Sequence, residues 1–223
     1  MEERLRRSRR NRTPLADVYP LLYLSTFFVV GLVLFRNYYT GTDHFFFLIW
    51  NLFLAWIPAW LSLWIYRTYS RSGAGMLIYV LGAAWLAFFP NAPYILTDVI
   101  HINRIHAPLT RWYDIISILT AAWTGYLLGF VSLLTLRRLV EREYGLRAGL
   151  VFTTGSLILC SLGIFIGRFL RWNSWDLVTR PHHVLSDLET LFAEPRPLLF
   201  ILLFGTFLMS TYAVLFRFTR TAA

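Results

Sequence analysis

The sequence predicts an all-α fold, a polytopic bundle of about six transmembrane helices. Of its 223 residues, 57% are hydrophobic and only 15% are charged, whereas about 25% of the residues in an ordinary soluble domain are charged. The apolar residues also form long runs, and a helix of about 20 such residues crosses a hydrocarbon core of about 30 Å. Six runs reach that length: Leu15–Phe35, Phe45–Tyr66, Met76–Leu96, Tyr113–Leu136, Gly149–Leu170 and Leu198–Phe216.

The spans belong to one transmembrane domain, residues 15–216, with a short tail on either side. Residues 1–14 form a basic tail, and because no small-residue cleavage site follows the first apolar run, we expect that run to be a retained anchor. Residues 217–223 form the other tail. In the longest loop, apolar residues recur at helical spacing near residues 182–193, which predicts a short helix lying on the membrane surface.

The distribution of arginine predicts which ends of the spans face the cytoplasm. All 21 basic residues are arginines, and short loops rich in basic residues stay in the cytoplasm. With six spans and both termini inside, the inner segments hold 14 of these arginines and carry the whole net charge of +9. We therefore predict a multi-pass protein of the cytoplasmic (plasma) membrane, with both its N- and C-termini cytoplasmic.

The same distribution decides how the basic character of the chain is interpreted. A strongly basic protein can be a nucleic-acid binder, but here the charge follows the predicted topology, so no nucleic-acid partner is expected. The expected partners are the lipid bilayer and, at the basic N-terminal tail, anionic lipid. The sequence identifies no protein partner.

The stretch FFPNAPYILTDVIH places two prolines and several polar residues where the third span should end. Pro90 disfavours helix at the residue before it, and Asn91 is a good N-cap for a new helix with Pro93 in its first turn. The third helix is therefore predicted to break or end there. A helix that restarts puts Asp98 and His101 three residues apart on one face. Irregular backbone at membrane depth is tolerated only inside protein or beside a wet cavity, so the break predicts a cavity.

A second polar stretch, GRFLRWNSWD, ends the fifth span on the same predicted outer side. Arg168 and Arg171 lie three residues apart and share a helix face. Arginines at this depth need carboxylate partners, or they hold a phosphate or carboxylate group of a substrate. The carboxylates near the ends of spans on that side are Asp98, Asp114 and Asp176.

Three motifs carry a family resemblance. FFPNAPYILTDVIH, RWYD and GRFLRWNSWD resemble the signature stretches of a bacterial multi-pass membrane protein family catalogued as domain of unknown function 1361. The resemblance covers nearly the whole chain. It implies an integral membrane protein from a bacterium with no established activity, so no catalytic residue can be taken from the family.

The leading functional hypothesis is an outward-facing polar pocket that binds or processes a lipid-linked or anionic substrate. The sequence leaves open whether the protein is an enzyme. The predicted substrate-binding residues are Asn91, Tyr94, Asp114, Arg168, Arg171, Trp172 and Asn173. The candidate catalytic residues are Asp98, His101 and Asp176.

A divalent metal cofactor is the sharpest form of this hypothesis. The ligands would be Asp98, His101, His182 and His183. Their oxygen and nitrogen donors suit zinc, manganese or iron, and a metal with an open position would acidify a bound water. The patterns DxxH and PHH are short and common, so they indicate a metal only weakly.

Two alternatives give the same residues another role. In the first, ion pairs and helix caps only close the outer end of the bundle, and the protein is a non-enzymatic structural or assembly partner in a membrane complex. In the second, the protein is a transporter, which usually needs ionisable groups near the membrane midplane. The polar residues within the spans are mostly serine and threonine, so transport is the weaker alternative.

Overall fold

The computed structural model describes residues 15–104, 108–172, 174, 179, 182–183 and 195–221. Every regular element within these ranges is helical, and they contain no strand, so the predicted all-α class is confirmed. The basic tail of residues 1–14 and most of the helix predicted near residues 182–193 lie outside the described residues.

The first two spans are uninterrupted helices that extend past their apolar runs. Helix α1 covers Tyr19–Thr40, and its end is set by Gly41, whose φ of 66° is the left-handed conformation that glycine adopts easily. Helix α2 covers Phe46–Ser72 and continues through Pro58.

The third span breaks at the predicted place. Helix α3 covers Met76–Phe88, the short helix α4 covers Asn91–Tyr94, and a 3₁₀ helix covers Ile95–Arg104. Pro90, which lacks an N–H group, stands between α3 and α4.

The N-cap role predicted for Asn91 is wrong. Pro90 holds the cap position of α4, and no side chain caps that helix. The amide nitrogen of Asn91 instead donates to the carbonyl of Phe88 at 3.0 Å. Asn91 therefore satisfies an acceptor at the end of α3, where the proline disturbs the backbone hydrogen bonds.

The fourth and fifth spans are the two arms of one long element, α5, which covers Pro108–Phe165. Gly145 interrupts it with a φ of 86° and a ψ of 170°, and residues 108–144 and 146–165 form the first and second arms. Trp85 of α3 touches both arms, since it donates to Ser132 Oγ at 2.6 Å and stacks on Phe152 at 5.6 Å. The arms therefore lie side by side. A π-helical turn, Ile166–Leu170, ends the second arm.

Five helices within the described residues are long and apolar enough to cross a membrane, the last of them α6, Pro195–Thr221. One of the five has 60 residues, which as a straight helix would be about 90 Å long, about three times the thickness of the hydrocarbon core. Gly145 divides this helix into its two arms. The first arm is the centre of the bundle, with Leu128, Leu133 and Leu134 at most 1% exposed.

The bundle has two ends, which we call the Asp98 end and the Gly145 end. Helix α6 ends beside the Gly145 turn, because Arg137 lies 3.8 Å over the ring of Phe216. Helix α1 ends at the Asp98 end, where Arg36 meets the start of α5. The start of α1 and the end of α6 therefore share the Gly145 end. Its described arginines are Arg67, Arg71, Arg137, Arg138, Arg142, Arg147 and Arg217.

Candidate functional site at the Asp98 end

Asp98 is a buried carboxylate on the 3₁₀ helix that follows the break, with 1% of its side chain exposed. Its Oδ1 forms an ion pair with the guanidinium of Arg168. Its Oδ2 accepts a hydrogen bond from Asn51 Nδ2 at 2.8 Å. Each carboxylate oxygen thus has a partner, as a charge removed from water requires.

Arg168 joins the end of the second arm to the broken third span. It lies on the π-helical turn, and its Nε donates to Thr97 Oγ1 at 2.8 Å. Its guanidinium carbon is 4.3 Å from the centroid of the Tyr94 ring, a cation–π contact. Tyr94, Thr97 and Asp98 follow one another at helical spacing, so one face of the broken span holds this arginine.

A cavity of about 530 Å³, which we call the polar cavity, is lined by Asn51, which contacts Asp98, and by Tyr94, which contacts Arg168. Asp98, His101 and Arg168 themselves do not line it. Asn91 and Tyr94 line it from α4, and Asn51 lines it from α2. Trp172 and Ser174 complete the opposite side, where Ser174 Oγ accepts from Asn91 Nδ2 at 2.9 Å. The cavity lies beside the break at Pro90, and its largely apolar lining includes amide, hydroxyl and aromatic groups.

His101 lies next to Asp98, as the spacing of three residues predicts. Its Nε2 is 3.9 Å from Asp98 Oδ1, and its ring centroid is 4.8 Å from that of Phe47. One quarter of the His101 side chain is exposed. The two residues can form an ion pair when the imidazole is protonated, at a separation longer than a hydrogen bond.

Asp114 does not line the polar cavity, in contrast to its predicted role in substrate binding. It is fully buried and paired with Arg36 of α1, whose Nε and Nη2 lie 2.6 and 3.2 Å from the two carboxylate oxygens. Arg36 also donates to Thr42 at 2.7 Å and lies 4.2 Å over the ring of Phe45. This bidentate pair ties α1 to the start of α5, and its carboxylate is fully buried and neutralised by the guanidinium.

The remaining candidates of the second polar stretch are only partly brought to the cavity. Trp172 lines it. Arg171, directly before Trp172, is exposed and adopts a left-handed conformation with a φ of 60°. Asn173 and Asp176 lie outside the described residues.

Within the described residues, the structure does not bring the four predicted metal ligands together as one cluster. Asp98, His101, His182 and His183 all belong to the part of the chain that the structure describes, and no group of three or more His, Cys, Asp or Glu suited to a metal occurs in that part. The two later histidines are exposed. Because the carboxylate of Asp98 faces a guanidinium, its charge is already neutralised, which opposes the binding of a cation.

Two residues of the site were not among the predictions. In the sequence, Asn51 is a single amide side chain within an apolar run, and Thr97 is one hydroxyl residue between Tyr94 and Asp98. An amide in a transmembrane helix is a usable signal, because lipid offers it no hydrogen-bond partner. The partner of Asn51 is 47 residues away in the chain, so spacing along the sequence does not reveal it.

The sequence model of one protein family, described as "Protein of unknown function (DUF1361)", matches residues 50–211 of the chain, which is more than half of it. The match includes α4, the 3₁₀ helix and the π-helical turn, and it confirms the resemblance. No curated protein and no solved structure matches the chain.

Proposed function

We propose that this chain, which belongs to the DUF1361 family of unknown function, binds a lipid-linked molecule whose polar head enters the polar cavity. The observation that carries the proposal is the convergence of Asn51, Asn91 and Tyr94 on a cavity of about 530 Å³. A volume of this size is typical of small-molecule sites. Because a polar surface is unfavourable against hydrocarbon, its presence in an apolar bundle is best accounted for by a polar ligand.

The chemistry of the lining favours a head group recognised by hydrogen bonds. Arg168 is already paired with Asp98, so it adds no net charge to the cavity. Both N–H groups of the Asn91 amide are engaged, by Phe88 and Ser174, so this residue offers its Oδ1 as an acceptor for a hydroxyl group of the head. The second N–H of Asn51 and the phenol of Tyr94 can donate to hydroxyl, amide or phosphate oxygens. An anionic head would also be attracted by Arg171, the exposed arginine directly before Trp172.

We propose that the protein binds the lipid-linked molecule, and we do not propose that it catalyses a reaction on it. A general base must have a free acceptor atom within reach of the proton that it removes. Asp98 is 1% exposed, and neither it nor His101 lines the polar cavity, so neither candidate base is within reach of a head group held there.

Removal of the cavity amide tests the proposal. We expect the purified protein in detergent to bind hexadecyl glucoside or hexadecyl phosphate, measured by native mass spectrometry. Asn91→Ala should weaken that binding about tenfold, which is about 1.4 kcal/mol and within the range of one hydrogen bond to a polar head. The matched control, Asn37→Ala on α1, lies away from the cavity and should bind as the parent does. Absence of binding by the parent protein would contradict the proposal.

The structural alternative is favoured by a different observation, the ion pair between Asp98 and Arg168, which joins two spans. If the residues only closed the bundle, Asn91→Ala would lower the thermal stability and leave amphiphile binding per folded molecule unchanged. An unfolding curve for each variant, recorded together with the binding measurement, therefore distinguishes a ligand-binding role from a purely structural one.

Transport is not proposed. Buried hydroxyls of the two arms donate to backbone carbonyls: Thr135 to Val131 and Thr153 to Gly149 within their own helix, both at 2.8 Å. Ser132 donates to the Pro58 carbonyl of α2 at 2.9 Å. Because these hydroxyls are bonded to backbone carbonyls, they do not form a polar path across the bundle.

A further inference from the structure

A second cavity, of about 550 Å³, lies between α2, α3 and the two arms of α5; we call it the apolar cavity. It extends toward the Gly145 end, where Tyr69 and Tyr144 border it. Leu86 of α3 and Leu159 of the second arm line both this cavity and the polar cavity. The two cavities are therefore neighbours that meet at this leucine pair.

Together the cavities extend along much of the membrane thickness. The lining residues of α3 and α4 run from Ile78 to Tyr94. At 1.5 Å per residue, Ile78 and Asn91 are about 20 Å apart. That is over half of a hydrocarbon core of about 30 Å. Leu159 is 47% exposed, which opens the groove sideways to the lipid phase.

Two glycines keep this space open. Gly82 of α3 and Gly155 of the second arm line the apolar cavity, and a Cβ atom at either position would meet nothing within 4 Å. Glycine in a membrane helix usually lets a neighbouring helix approach closely, as at Gly163, where a Cβ atom would lie 2.5 Å from Pro90. Gly82 and Gly155 have no such neighbour, so their missing side chains leave room along the groove.

We infer that the two cavities form one binding groove, in which the hydrocarbon chain of the lipid-linked molecule lies along the apolar cavity and its polar head lies at Asn91. This inference rests on the proposed function and adds the position and length of the chain. An apolar groove open to lipid is matched by an acyl or isoprenoid chain, because such a chain has no polar atoms that need partners. A water-soluble ligand would use only the polar end.

Filling the groove tests the inference. Gly155→Leu and Gly82→Leu place a side chain in the open space from two different helices, and neither adds a clash with the backbone. We expect each variant to bind hexadecyl phosphate at least tenfold more weakly than the parent, in native mass spectrometry from the same detergent. Butyl phosphate, whose chain does not reach past the leucine pair, should bind parent and variants alike.

The matched control is Gly31→Leu on α1, where a Cβ atom also meets nothing within 4 Å and which lines neither the polar nor the apolar cavity. It should bind hexadecyl phosphate as the parent does. Undiminished binding by both groove variants would overturn the inference while the effect of Asn91→Ala still supported the proposed function. An equal loss in the Gly31→Leu control would also overturn it, since binding would then reflect ordinary lipid around the bundle only. If the parent binds neither phosphate, both the inference and the proposed function are wrong.

Discussion

Asp98 and Asp114 are two buried carboxylates in an apolar bundle, and each is stabilised by one arginine from another helix. Asp98 pairs with Arg168 across 70 residues of chain, and Asp114 pairs with Arg36 across 78. The sequence indicated that Arg168 needed a carboxylate, because an unpaired charge at this depth is costly. It did not indicate which one, since the choice depends on how the second arm packs against the broken span. Arg36 lies just past the first predicted span, and for the same reason the sequence does not identify Asp114 as its partner.

The pair of Arg36 and Asp114 makes a prediction about stability at the residue scale. Asp114→Ala leaves a guanidinium 11% exposed and without its carboxylate, and breaking a buried pair in this way costs about 3–5 kcal/mol. We expect a large fall in the midpoint of unfolding, measured by circular dichroism in detergent. Asp43→Ala is the control, because that side chain is 84% exposed and its loss should change the free energy by less than about 0.5 kcal/mol. Equal midpoints for the two variants would show that the buried pair is not needed for stability.

At the scale of elements, the order of the apolar helices followed from hydropathy, and their lengths did not. Helix α2 runs to Ser72 although its predicted span ended at Tyr66, because helix continues through polar residues once the apolar face is packed. The residues after Leu136 are mostly polar, which is typical of a loop between two spans. They are helical up to Gly145, where a single left-handed residue turns the chain. The break at Pro90 was predictable because proline lacks the N–H group that a helix interior needs.

The packing of the break against the second arm gives a prediction at the scale of elements. A Cβ atom at Gly163 would lie 2.5 Å from the ring of Pro90, so Gly163→Ala should push the second arm away from α4. Overpacking of this kind costs about 1–3 kcal/mol. Gly155→Ala is the matched control on the same arm, since its Cβ atom meets nothing, and it should be neutral or slightly stabilising through better helix propensity. Thermal unfolding of both variants in detergent measures the difference, and a Gly163→Ala variant as stable as Gly155→Ala would exclude a tight contact at Pro90.

At the scale of the whole molecule, the charge distribution and the helix directions give the same topology. The start of α1 and the end of α6 share the Gly145 end, where arginines of α2, of both arms of α5 and of α6 lie. At the Asp98 end, Arg36 and Arg168 are neutralised by buried carboxylates. Because net positive charge stays on the cytoplasmic side, we propose that the Gly145 end faces the cytoplasm and that the polar cavity opens outward from a bacterial cytoplasmic membrane.

Labelling of single cysteines tests this orientation directly. The only native cysteine, Cys160, is fully buried, and Cys160→Ala provides a background without thiols. Arg171→Cys at the Asp98 end and Arg147→Cys at the Gly145 end then each place one thiol at an exposed position. We expect a membrane-impermeant maleimide to label the first variant in intact cells and the second only after the membrane is permeabilised. The reverse pattern would place the polar cavity on the cytoplasmic side. In that case the lipid-linked molecule would have to be supplied from the inner leaflet, although its proposed site on the chain would be the same.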